Sequence, residues 1–151
     1  MRLLAIVALF VTASAFAGEV VSKKVSFSVG GRDLGSETYF ACDSVKDTVK
    51  RHLTTLGAEN IRVRCSGGIE NWGTGTQIWP NFVTASFDAP VSTGAAVESI
   101  TLKGRFDQNC ILNVAILKNI IPALSTVTVV SKRDNCWDNS TRWSYDVTVA
   151  H

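Results

Sequence analysis

The chain has 151 residues with 15 basic against 13 acidic side chains, a formal charge of +2 that selects no partner by itself. Its length fits one domain, and a hydrophobic fraction of 46% excludes a disordered segment without a core.

Met1 and Arg2 open an apolar run over residues 3–11, and Ala15-Phe16-Ala17 supplies the small, apolar, small pattern of a signal-peptidase site. This predicts a signal peptide over residues 1–17 and a single domain over residues 18–151. The apolar run is too short to cross a hydrocarbon layer, and no later segment approaches the roughly 20 apolar residues that would do so. Gly18, not a lipidated cysteine, follows the predicted cut. The expected location is therefore the periplasm or the extracellular space, without a membrane span. An even count of four cysteines in an exported chain predicts two disulfides rather than thiols or metal ligands, and no cofactor or metal is expected.

Residues 25–29 and 36–41 read as strands, the second through Thr38, Tyr39 and Phe40. Cys42 follows, and Val45, Val49, Leu53 and Leu56 then form one stripe of a helix over residues 44–56. Asp43 or Ser44 is the expected cap at its start, and Gly57 its stop. Ile61-Arg62-Val63-Arg64-Cys65 alternates as a half-buried strand does. Residues 66–81, with Gly67, Gly68, Gly73, Gly75, Trp72, Trp79 and Pro80, read as a long glycine-rich loop. Next come strands over residues 83–87 and 100–106, Cys110, and a helix over residues 111–121 stopped by Pro122. A strand over residues 126–132, a polar loop over 133–141 holding Cys136, and a strand over 142–149 complete the chain. In the last strand Trp143, Tyr145, Val147 and Val149 alternate with polar residues.

Seven strands and two helices fall into two similar halves, about residues 20–66 and 81–137, each running strand, Cys, helix, strand, Cys. Of three possible pairings, that repeat selects Cys42 with Cys65 and Cys110 with Cys136. Strands with one wet face favour an α+β two-layer sandwich, a mostly antiparallel sheet of about seven strands with both helices on one face. A duplicated strand-helix-strand unit resembles the ferredoxin-like arrangement in outline, which implies a fold and no function.

Catalysis finds few parts. His52 reads as a boundary histidine beside the core rather than an acid or base. Glu70 and Asp88 are the best paired carboxylates for a small polysaccharide hydrolase, the alternative function. Asp134, Asn135, Asp138 and Asn139 around Cys136 read as a polar turn rather than a calcium loop, and Asn139-Ser140-Thr141 is a glycosylation sequon. Binding is better supplied. Trp72 and Trp79 in the glycine-rich loop either stack on a ligand or complete the core. Strand parity places Lys24, Arg62, Arg64, Lys103, Arg105, Lys132 and Arg142 on one outward face, against Asp88 and Asp146. Ile111, Leu112, Val114, Ala115, Ile116, Leu117, Ile120 and Ile121 make the second helix apolar nearly all round, so something must cover it: another part of the chain, a second copy or a partner. The expectation is an exported, non-enzymatic binding module acting through Trp72, Trp79, Arg62, Arg64, Lys103 and Arg105 on an envelope polymer, an anionic ligand or a protein. A secreted inhibitor or interaction protein is the third alternative.

Overall fold

The computed structural model describes residues 19–31, 38–72, 75–94, 96–105, 108–136 and 142–151. Six strands and two helices make an α+β fold: β1 (Val20–Val29), α1 (Cys42–Thr55), β2 (Glu59–Trp72), β3 (Gly75–Pro90), β4 (Val97–Arg105), α2 (Gln108–Ile120), β5 (Val127–Arg133) and β6 (Arg142–Ala150). The predicted single sheet is instead two three-stranded antiparallel sheets, ordered β1-β3-β2 and β4-β6-β5. Each half thus runs strand, helix, strand, strand, with its last strand in the middle. The strand expected to lead the second half, residues 83–87, is the core of β3 and belongs to the first sheet.

Two other expectations change. The glycine-rich loop is an antiparallel hairpin, because Gly67 and Gly68 take positive φ at a register shift and so bend the strand without ending it. Among the described residues 38–41 no strand leads into α1: Thr38 makes an isolated bridge to Gly31, residues 39–41 are irregular, and residues 36–37 lie outside the described residues.

Helix α1 forms where its stripe predicts, with Val45, Val49, Leu53 and Leu56 fully buried. Its N-cap is Ala41, without a side-chain cap bond, and Asp43 in the first turn pairs with Lys46 at 2.7 Å. Gly57 closes the helix at φ +84°, a conformation only glycine takes cheaply, and its N–H donates to the Thr54 carbonyl. Helix α2 ends at Ile120 and passes into a single 3-10 turn, Ile121–Ala123, held by Pro122. Its apolar circumference is covered inside the chain: β4 and β6 lie against it from its own half, and α1 and β1 from the other. Leu112, Val114, Ile116, Leu117 and Ile120 are all buried, and Lys118 and Asn119 are exposed. One apolar cluster therefore joins both halves, running from Val83, Ala85 and Phe87 through the helices to Trp143, Tyr145 and Val147.

Both sheets repeat one polar device on their outward faces. A central-strand carboxylate accepts from both flanking strands: Asp88 from Ser22 (2.6 Å) and Asn60 (2.8 Å), Asp146 from Thr101 (2.8 Å) and Ser131. Those hydrogen bonds hold both carboxyls below the usual aspartate range. Each lies beside a register shift in the strand that follows the helix.

The disulfides are Cys42–Cys65 and Cys110–Cys136, as the repeat predicts, and no cysteine is free. Each ties the first turn of a helix to the strand that follows it or to the segment just beyond that strand. A fully oxidised set of cysteines fits an oxidising compartment. Among the described residues no helix is long and apolar enough to cross a membrane.

Candidate functional site

Strand β1 pairs with β3 only over residues 81–90, its last partner to Val29 being Asn81. Beyond that point residues 68–72 and 75–79 have no strand partner but each other among the described residues, so β2 and β3 continue past the sheet as a two-stranded arm. Its described side chains are apolar and open to solvent. Ile69 and Ile78 face each other at 44% and 49% exposure, Trp79 opposite Gly68 is 58% exposed, and Phe82 just below the arm is 60% exposed. Alternation puts the isoleucine pair on one face of the ribbon and Trp79 on the other. Trp79 thus takes the solvent-facing role, not the core one. The side chains of Glu70, Trp72 and Arg105 lie outside what the structure describes, as do Asp138 and Asn139.

The root of the arm is fixed in several ways. Asn81 is fully buried, donates to the Phe40 carbonyl at 3.1 Å, and lies 3.5 Å from both sulfurs of the Cys42–Cys65 bridge. The Ile69 N–H donates to the same Phe40 carbonyl. At Gly68, φ +90°, a Cβ would collide with that carbonyl and with the Asn81 amide, so glycine is required. The disulfide expected on repeat grounds therefore anchors the base of the arm.

The expected basic face is divided. Lys24, Arg62 and Arg64 are exposed on the outward face of the first sheet, with Lys24 and Arg62 both in register with Ser86. Lys103, Arg133 and Arg142 are exposed on the second sheet. Lys132 leaves the set: the register shift in β5 sets it opposite inward-facing Tyr145, where it pairs with Asp134 at 3.0 Å. Asp134 also meets Lys118 at 3.2 Å and the Tyr145 hydroxyl at 3.4 Å. Burial opposes its ionisation, but the hydrogen bonds from Lys132 and Lys118 outweigh that and leave its pKa lowered. The Tyr145 hydroxyl is pushed up by burial and by the Asp134 charge.

Between the halves, α1 and β4 border a groove of about 630 Å³ with Asn113 and Trp143 among its lining. Beside it His52, 4% exposed, holds an interhelical contact: its Nε2 lies 2.6 Å from Asn113 Oδ1, and its ring meets the Trp143 indole edge-on at 6.0 Å between centroids. Arg51 donates to the same Oδ1 at 2.9 Å. Burial, opposed by the Asn113 bond and aided by the Arg51 charge, lowers the His52 pKa to about 4. The imidazole is neutral at pH 7, and its Nε2–H donates to Asn113. A proton already committed in this way suits a clasp better than a proton shuttle. Asp88, with both oxygens taken by Ser22 and Asn60, is likewise engaged as a cross-strand tie.

Phe82, Ile69, Ile78, Arg51 and Asn113 were not singled out in the sequence, though two signals were there. Phe82 is out of phase with the buried Val83, Ala85 and Phe87 series, and Asn113 is a polar residue inside an apolar helix. The chain matches no protein-family model, no curated protein and no solved structure.

Proposed function

We propose that the chain is an exported, non-catalytic binding module that holds a protein partner through the β2–β3 arm. We also infer that its halves are copies of one strand-helix-strand-strand unit, as the shared strand order, disulfide placement and carboxylate tie suggest. One observation carries the binding reading. Ile69, Ile78 and Trp79 stand in solvent on a ribbon that no third strand flanks among the described residues, with Phe82 exposed just below it, while the ribbon's root is locked by a disulfide, a buried amide and two obligatory glycines. Clustered exposed aromatic and aliphatic side chains mark protein interfaces. A preordered root limits the conformational entropy lost on docking.

A second reading rests on Lys24, Arg62 and Arg64, which have no carboxylate partner among the described residues and would attract an anionic envelope polymer. Retention of the oxidised domain, residues 18–151, on membrane and wall fractions of the producing cell separates the two. The protein reading expects retention that protease treatment of the fraction abolishes and that Trp79→Ala/Phe82→Ala removes. The polymer reading expects retention that survives protease and falls with salt and with Arg62→Ala/Arg64→Ala. Retention insensitive to Trp79→Ala/Phe82→Ala overturns the proposed function.

A further inference from the structure

We propose that the groove between α1 and β4 is a second binding site, taking a hydroxylated organic anion of about monosaccharide size with a phosphate or carboxylate head. Its lining comes from both halves: Ser44, Asp47, Thr48, Arg51 and Thr55 along one stripe of α1, faced by Thr101 and Lys103 of β4. Small-molecule sites favour such junctions, and the groove has the volume for a ligand of this class.

The hydrogen-bond inventory specifies the ligand. Two of the lining hydroxyls have already spent their protons: Thr48 on the Ser44 carbonyl at 2.8 Å and Thr55 on the Arg51 carbonyl at 2.9 Å. They offer a ligand lone pairs alone, and so suit its hydroxyl groups. The charged donors left over are the Lys103 ammonium, which has no partner among the described residues, and most of the Arg51 fork, of which one nitrogen is pinned to Asn113. Two cations in a groove otherwise rich in acceptors call for an oxyanion. The His52–Asn113 contact sets the guanidinium in place beforehand, because Asn113 Oδ1 accepts from both His52 and Arg51. Asp47 is the one carboxylate in the lining; it opposes an anion and restricts the head group to the Arg51–Lys103 side.

The test titrates the oxidised domain with glucose 1-phosphate, glucuronate, inorganic phosphate and glucose, following amide, Arg51 Nε–H and Trp143 indole N–H resonances. Saturable shifts confined to the groove are expected with one or both hydroxylated anions, and which one identifies the head group. Inorganic phosphate should bind more weakly, and glucose not at all. Lys103→Gln, which leaves the His52 contact untouched, should weaken binding about tenfold, as should Arg51→Gln, while Asp47→Asn should tighten it. Trp79→Ala should change nothing here, so failure of this site and failure of the arm are read separately. The proposal is overturned if neither anion produces groove-confined shifts, if glucose binds as well as they do, or if Lys103→Gln binds like the parent.

Discussion

Mild acid should weaken this fold through one side chain. His52 is neutral in the native state, with a pKa of about 4 against an ordinary 6.5, so protons bind the unfolded chain more readily than the folded one. Well above pH 6.5 neither state is protonated there and stability is unaffected. As pH falls from 6.5 toward 4 the unfolded state gains a proton that the native state refuses, at about 1.4 kcal/mol per unit, and below 4 the loss levels off. Between pH 7 and pH 5 this amounts to about 2 kcal/mol, a large part of a single domain's stability. Asp88, Asp134 and Asp146 act in a separate window: their folded pKa values are lowered, so their contribution is intact above 3.8 and is lost as pH falls through the folded values. The other histidine, His151, is an exposed terminal residue. Urea unfolding with the disulfides intact, at half-unit steps from pH 7.5 to 4.5, should show the decline in the parent and a nearly flat profile in His52→Gln, whose amide still donates to Asn113. A parent that loses under about 0.5 kcal/mol, or a His52→Gln variant that declines in parallel, would show that His52 does not carry the acid sensitivity.

Three further outcomes follow from the packing. Trp79→Ala and Phe82→Ala should shift the urea midpoint by no more than about 0.5 kcal/mol equivalent, since both side chains stand in solvent. Gly68→Ala should destabilise by more than about 1 kcal/mol, from its positive φ and the collision with the Phe40 carbonyl, and should broaden arm resonances such as the Trp79 indole. Replacing Cys42 and Cys65 together by serine opens a loop with a sequence separation of 23 and should cost about 3 kcal/mol in thermal or urea unfolding.

Local pattern carried much of this architecture. The stripe Val45, Val49, Leu53 and Leu56, the stop at Gly57 and the two disulfides were legible because each depends on neighbours in sequence or on the spacing of the halves. The division into two sheets was not, because strand pairing is long-range: nothing near residues 83–87 says that they sit between β1 and β2. The arm reads as a loop in the sequence for a related reason. Four glycines within nine residues ordinarily end regular structure, whereas here Gly67 and Gly68 serve a bulge whose necessity lies in Phe40 and Asn81. Parity placed Lys24, Arg62 and Arg64 outward correctly, but the register shift in β5 moved Lys132 to a partner in Asp134. Neither Arg51 nor Asn113 announces a groove until α1 and α2 are brought together.

The arm itself is tested most directly by placing a photoactivatable phenylalanine analogue at position 79 in cells that make the protein, with the same probe at Val130, an exposed apolar position on β5, as the control. One protein adduct of discrete mass is expected from position 79, with none in common with position 130. Unlabelled parent domain should compete it away, and Trp79→Ala/Phe82→Ala should not. Identical adducts from both positions, or none from position 79 while the domain is folded and oxidised, would contradict binding through the arm.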